Sequence, residues 1–383
     1  MHCLDFVKNG TEDFVKNGTE EGIFIPEKKI ENPEPSFSLN TVWLHVTNRC
    51  NLHCSYCCFD SGESLEKKMT TEELIQVIQE LNDRNVKVKV SGGEPLLRED
   101  LFDIMVASST YNCLITNGTL ITEDNVDLIE KHFSEVSISL DGPDAATHEK
   151  VRGKNTFEKC MHAMNLLKER DFKLLEFSTI VMRPTFKAVP KMAELAFDMG
   201  VYLHLNQYVP GGRGKKELGL TKEEHLDTVV NTYKNFNRLI TRSQEKQPPY
   251  MAAEGAYFME IFRTEPKNNC GFGVKELSIA PNGDVYPCPL LHKESVKMEN
   301  VLDEPLKNIH EKSVKVCSAI NIKTIQGCSN CHVRTYRGGG CRARALQDTG
   351  DLQGKDPYCE ICKFTIEYGM WYKGDSDQDL MMF

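Results

Sequence analysis

The stretch TVWLHVT, residues 41–47, runs through Asn48 and Arg49 into CNLHCSYC, residues 50–57. Its first half is β-branched and apolar, the composition of a buried strand. Its second half sets Cys50, Cys54 and Cys57 at Cys-x3-Cys-x2-Cys spacing in the loop that leaves that strand. Three thiolates from one short loop can hold three corners of an iron–sulfur cube and leave one iron open to a further ligand. Spacing alone equally admits a zinc site that borrows Cys58, His45 or His53 as its fourth ligand.

Outward from this loop the chain repeats strand, turn and helix. Thr70 and Glu73 stand at capping-box spacing and open the helical stretch ELIQVIQELNDR. The strand VKVKVS (86–91) follows, then the turn Gly92-Gly93-Glu94-Pro95 and the helical REDLFDIMVASS. CLITNG (113–118), SEVSISLDG (134–142), KLLEFSTIVM and VYLHLNQYVP (201–210) read as further strands with amphipathic helices between them. Six such alternations predict an α/β fold: a parallel sheet covered by helices, as a barrel or partial barrel. Functional residues then belong at the C-terminal ends of the strands, where the unusual turns fall. Beyond them VPGGRG reads as a flexible turn with one solvated Arg. Thr221 to Gln247 reads as one helix, with Thr221 and Glu224 at capping-box spacing and Pro248-Pro249 as its stop.

A length of 383 residues allows two or three domains. Apolar residues at 40% and charged residues at 27% favour a folded core over disorder. The balance 46 − 56 = −10 argues against nucleic acid as the main partner. No apolar run reaches the ~18–20 residues of a membrane span, and MHCLDFVKNGTEDF is not an export signal, so a cytoplasmic location is expected. Without export, 15 cysteines point to metal or catalytic chemistry rather than disulfides. Four fall between Cys50 and Cys58 and eight between Cys270 and Cys362. The expected organisation is a short appendage with a repeated DFVKNGTE over 1–40, a barrel over 41–220, a helical bridge over 221–265, a cysteine-rich domain over 266–365 and a tail over 366–383.

With Tyr56 just before its third cysteine, the loop resembles the signature of the radical S-adenosylmethionine (radical SAM) enzymes, and the supporting motifs occur in that family's order. The resemblance spans about residues 41–215 and implies a partial (β/α)6 TIM-like barrel. It assigns a [4Fe-4S] cluster to Cys50, Cys54 and Cys57. Gly92, Gly93 and Glu94 would receive the methionine amino group of S-adenosylmethionine (SAM). Asn117 ends the third strand; Ser139 and Asp141 end the fourth, in the family's region for ribose and methionine contacts. Arg152 matches a position that pairs with the SAM carboxylate, a geometry that suits a guanidinium. The implied reaction is reductive cleavage of SAM to methionine and a 5′-deoxyadenosyl radical, which abstracts hydrogen from a substrate. The electron would come from an external donor such as flavodoxin or ferredoxin.

Cys270, Cys288, Cys328, Cys331, Cys341, Cys359 and Cys362, with APNGDVYPC and GGGCRARA between them, resemble the SPASM extension of these enzymes over about 266–365. That extension carries two auxiliary iron–sulfur clusters. Its middle motif is Cys-x2-Cys-x5-Cys-x3-Cys, and the third position here is Arg337, a side chain without a lone pair to give. The simplest solution closes one cluster with Cys328, Cys331, Cys359 and Cys362. Cys270, Cys288 and Cys341 hold the other, with Cys317, a water or a substrate group as fourth ligand. Paired Cys-x2-Cys knuckles also occur in zinc ribbons. The resemblance implies a peptide or protein substrate: thioether or carbon–carbon crosslinks in ribosomally made peptides, or side-chain oxidation of the anaerobic sulfatase-maturing type. A minority of members act on tetrapyrroles in haem biosynthesis, a branch that the VPGGRG turn also resembles. The sequence singles out no general acid or base; His204, Gln207 and Tyr208 share the sixth strand with core residues.

Overall fold

The computed structural model describes residues 39–63, 68–242, 251–253 and 267–371. The DFVKNGTE repeat, Cys3, Pro248-Pro249 and the last residues of the chain lie outside these. β-Branched and aliphatic residues build each strand, and at the centre of the sheet they are fully buried, as Val42, Leu44, Val88, Val90, Leu114, Val136 and Ile138 are. In order, the elements are β1 (Thr41–His45), α1 (Thr71–Asn82), β2 (Lys87–Ser91), α2 (Leu101–Met105), β3 (Asn112–Thr116), α3 (Val126–His132) and β4 (Glu135–Ser139). They continue as α4 (Ala145–Arg152), α5 (Phe157–Lys168), β5 (Leu174–Val181), α6 (Val189–Met199), β6 (Tyr202–Gln207) and α7 (Lys222–Arg242). Both expected capping boxes form. Glu73 N donates to Thr70 Oγ1 while Thr70 N donates to the Glu73 carboxylate, and Thr221 and Glu224 do the same.

Strands β1 to β6 lie side by side in parallel, and the sheet is longer than six strands. β7 (Met251–Ala253) adds to β6, and β8 (Glu276–Ile279) adds to β1, both in parallel. β9 (Val285–Tyr286) closes an antiparallel hairpin on β8. The nine-stranded order β7-β6-β5-β4-β3-β2-β1-β8-β9 is open, a partial barrel rather than a closed one. Short 3–10 turns aside, the remaining elements are α8 (Leu306–Cys317), α9 (Arg334–Arg337), α10 (Arg342–Thr349) and α11 (Cys359–Trp371).

The cysteine-rich region has more regular structure than its Gly- and Pro-rich sequence suggests. It carries an apolar cluster of its own, around Phe272, Leu291, Ile320, Ile322 and Ile325. It also joins the larger core through Leu277, Ile279, Ile309 and Phe364. No helix among the described residues is long and apolar enough to cross a membrane.

Candidate active site

The site follows from how the strand ends are tied together. β1 ends at His45, and the chain crosses Asn48 and Arg49 before the cysteine loop. The turn after β2 lies flat against this crossing: Gly93 N donates to Thr47 O and Glu94 N to Arg49 O, both at 2.8 Å. A Cβ on Gly92 would collide with the Thr47 carbonyl and one on Gly93 with the Arg49 carbonyl; Gly92 moreover sits at φ 143°. Glycine is therefore required where the second strand end meets the root of the cysteine loop.

A cavity of roughly 210 Å³ opens at these ends, lined by Cys50, Cys54 and Cys57 on one side and by Gly92, Gly93 and Asn117 on another. Tyr56, Ser139, Arg152, Gln207 and Tyr208 complete much of the wall. Nine of the sequence-derived residues outside the cysteine-rich domain, Ser139 among them, therefore meet in one cleft. The three thiols fit a cofactor that takes thiolate. Burial pushes Cys50 up to about 11 and raises Cys54 as well, so a bound metal must displace those protons. Leu52 N donates to Cys50 Sγ and Ser61 N to Cys57 Sγ, both at 3.4 Å, which aims the backbone at the sulfurs.

Two of the sequence-derived residues, Glu94 and Asp141, are held by groups of the chain. Glu94 is fully buried, and chain groups use both its oxygens: Oε1 accepts from Thr116 Oγ1 at 2.7 Å and Leu96 N at 3.2 Å, Oε2 from Asn117 N at 2.8 Å. It fastens the end of β3 to the glycine turn. Burial raises its carboxyl, and these bonds oppose the rise. Asp141 is 1% exposed; it accepts from Tyr56 OH, from Arg152 Nε at 2.6 Å and from Ile180 N at 2.8 Å. Burial works against the Arg152 charge, but the ion pair with Asp141 outweighs it, so the guanidinium stays protonated at the cavity wall. Asp141 thus orients two lining residues. Its own backbone N–H donates to His148 Nδ1 at 3.1 Å.

Arg213 is the residue the sequence reading undervalued. The VPGGRG turn is not a loose one with a solvated Arg. The Arg213 side chain is 15% exposed; Nε donates to Cys54 O at 3.0 Å, and NH1 reaches Asp60 Oδ1 at 2.7 Å and Ser61 O at 2.8 Å. Its backbone N–H donates to Cys57 O at 3.0 Å, and a Cβ on Gly212 would strike that same carbonyl. The signal was an Arg set among three glycines immediately after the last strand of the alternation. Cys58 also lines the cavity, whereas Cys113 and Cys160 are buried thiols. His204 turns to Glu176, with Nδ1 3.7 Å from its carboxylate.

In the cysteine-rich region Cys270, Cys288 and Cys341 lie near one another, with the Glu276 carboxylate on β8 beside Cys270 and Cys288. Cys317 packs instead on Gly273 and Ser313. Cys359 acts on both Cys328 and Cys331. Cys362, one helical turn beyond Cys359, receives a weak bond from Gln207 Nε2 at 3.9 Å, so a lining residue of the cavity touches the C-terminal cysteines. Among the described residues no three Cys, His, Asp or Glu side chains group as ligands of a single metal ion do.

Ligands of open α/β sheets bind outside the carboxyl ends of the strands, and here that edge is faced with thiols and a held guanidinium. The fold and the cleft are those of an α/β enzyme that works through a thiolate-bound cofactor. The chain is a radical SAM enzyme with a SPASM region: the radical SAM superfamily model matches residues 44–196, and the model of SPASM, an iron–sulfur cluster-binding domain, matches residues 270–332. Its cofactors are accordingly SAM and [4Fe-4S] clusters. It is 28% identical over 324 residues to mycofactocin maturase MftC of Mycolicibacterium smegmatis, covering 82% of this chain and 81% of the relative. It is 27% identical over 338 residues to the AdoMet-dependent heme synthase of Methanosarcina barkeri, covering 82% and 94%. It is 27% identical over 330 residues to PqqA peptide cyclase of Streptomyces rochei, covering 83% and 88%. The fold is also that of anSMEcpe solved with bound AdoMet, with a TM-score of 0.71 at 20% identity over 86% of this chain and 96% of that one.

Proposed function

We propose that the chain modifies a peptide or protein substrate at an unactivated C–H bond. The observation that carries the radical chemistry is the single cleft faced by Cys50, Cys54, Cys57, the Gly92-Gly93 backbone and Arg152. The peptide arm is supported by the similarity to a maturase and to a peptide cyclase. Cys50, Cys54 and Cys57 hold the [4Fe-4S] cluster, and Cys270, Cys288, Cys341 and the Cys328, Cys331, Cys359, Cys362 set hold the auxiliary ones. When bound, the first cluster supplies the electron that splits SAM into methionine and a 5′-deoxyadenosyl radical.

The residues of the chain bind and orient. Gly92 and Gly93 offer backbone to the methionine amino group, and Arg152, kept charged by Asp141, faces the carboxylate. Tyr56 and Ser139 close the wall, and the fastening of Glu94 and Arg213 keeps the loop and strand ends from shifting. An external donor of the flavodoxin or ferredoxin type delivers the electron. Cys270, Cys288 and Cys341 would leave an auxiliary iron open to a substrate group; Mössbauer spectra that show both auxiliary clusters fully cysteine-ligated and unchanged by substrate would overturn that part.

Anaerobically reconstituted enzyme with dithionite and SAM is expected to release 5′-deoxyadenosine. Ala at Cys50, Cys54 or Cys57 abolishes this while sparing the auxiliary iron; retained cleavage refutes the assignment. The heme synthase relative favours a second reading, a tetrapyrrole substrate. Porphyrin absorption bands that shift on adding the enzyme would select it over the peptide.

A further inference from the structure

The middle cysteine motif has Arg337 where a thiolate stands in its family. Arg337 is the last residue of α9, and Gly338 turns the chain away from it at φ 62°. The side chain is 8% exposed, and NH2 donates to Asp356 Oδ2 at 2.6 Å. Asp356 is itself 1% exposed. It also accepts from Arg344, Nε to Oδ1 at 3.0 Å and NH2 to Oδ2 at 2.9 Å, and from Cys341 N at 2.8 Å. Two guanidiniums share this one carboxylate, and a third, Arg342, is buried beside them on the Gly339 and Gly340 carbonyls, so positive charge exceeds negative in this interior. Both Asp356 oxygens accept from guanidiniums, the arrangement of an ionised carboxylate.

That charge is directed at the cysteines. Cys359 N donates to the Asp356 carbonyl at 2.9 Å, so the residue that holds Arg337 also opens the helix that carries Cys359 and Cys362. Arg337 Nε has no hydrogen-bond partner among the described residues. A buried guanidinium N–H left unpaired is costly, and the sulfur shell of a cluster is an acceptor that would satisfy it. Gly340 fixes the arrangement: a Cβ there would fall 2.5 Å from both Arg337 NH2 and Asp356 Oδ2.

We propose that Arg337 is a positioning residue that tunes the auxiliary cluster of Cys328, Cys331, Cys359 and Cys362, raising its reduction potential by laying a buried positive charge and an N–H against its sulfurs. This rests on those four cysteines holding a cluster. A thiolate-ligated cluster is anionic and gains further negative charge on reduction. Net charge and hydrogen bonds to sulfur are among the levers that set its potential. With Arg in place of a ligand, the side chain no longer holds iron but biases how readily the cluster takes an electron.

The test uses the full-length chain with C50A/C54A/C57A, so that only auxiliary clusters remain, reconstituted anaerobically and titrated by EPR and visible absorption. R337Q is expected to keep its iron and sulfide and to shift one midpoint potential negative; R337K, which keeps the charge, shifts it less. Full iron with both midpoints unchanged in R337Q overturns the proposal. Should R337Q lose iron, R337K decides. Retained iron with a midpoint near the parent's supports the role of charge, and the same loss in R337K overturns it in favour of packing alone. C328A/C331A separates the underlying reading: if it removes no iron, the cluster assignment fails, and the proposal with it.

Discussion

Asp141→Asn is the most informative single change in the cleft, because the geometry leaves the amide no comfortable orientation. The side chain of Asp141 is 0% exposed and that of Arg152 10%. Oδ2 accepts from Tyr56 and Arg152, and Oδ1 from Ile180 N. An asparagine can put its oxygen toward Tyr56 and Arg152, and then its NH2 faces the Ile180 N–H. Turned over, the NH2 faces a phenol and a guanidinium that both came as donors. In either case a donor meets a donor, and Arg152 loses its counter-charge while buried. Breaking a buried pair in this way costs about 3–5 kcal/mol. Equilibrium urea unfolding of metal-free protein should therefore show a drop of at least ~2 kcal/mol, the rest being absorbed by local relaxation. SAM affinity of the reconstituted enzyme, by calorimetry, should fall at least tenfold, because Arg152 and Tyr56 are no longer held at the wall. In D141N/R152Q the orphaned charge is gone, and the two losses should sum to less than additive. The account is refuted if D141N unfolds within ~0.5 kcal/mol of the parent and binds SAM equally well.

Two further outcomes are expected. Arg213→Gln removes the clasp on Cys54 O, Asp60 and Ser61; iron at the N-terminal triplet should fall while auxiliary iron stays, and loop amides 54–61 should exchange faster by hydrogen–deuterium mass spectrometry. Unchanged exchange with full iron would show the clasp to be dispensable. His148, fully buried and facing Asp141, Arg152, Glu149 and Cys160, has its pKa lowered by burial and then by Arg152 to about 4. Because the folded value lies below the unfolded one, the unfolded chain binds the proton first, and stability is lost as pH falls from about 6.5 to 4, by up to ~3 kcal/mol from this group. His225, lowered by burial and Arg344 to about 3, adds to the same slope, so H148Q should flatten it in part; an identical pH profile for H148Q and parent would exclude the contribution.

Local rules made much of this molecule legible. Thr70 with Glu73 and Thr221 with Glu224 announce their helices within four residues, and the glycines after the second strand announce a close backbone approach that the structure shows against Thr47 and Arg49. What stayed hidden depends on distant partners. A carboxylate such as Asp141 reads the same whether it meets a ligand or an arginine eleven residues on, and only the fold shows that its oxygens are already used. The pairing of Thr41 with Glu276 joins residues too far apart for any pattern to foretell. Three-residue β7 and two-residue β9 are too short to carry an alternation at all. The helices of the cysteine-rich region were masked because Cys359 and Cys362 read first as ligands and only then as neighbours on one helix face.

The junction of β1 with β8 has a mechanical corollary. The strand that delivers the N-terminal thiols shares a ladder of backbone hydrogen bonds with the strand that opens the cysteine-rich region, from Thr41 opposite Glu276 to Leu44 opposite Ile279. The two halves are thus welded edge to edge, not strung on a tether, and one cannot swing away from the other without tearing the sheet. Cutting the chain ahead of residue 267 would bare the edge of β1, with Val42 and Leu44 behind it, and invite the truncated sheet to pair with its own copies.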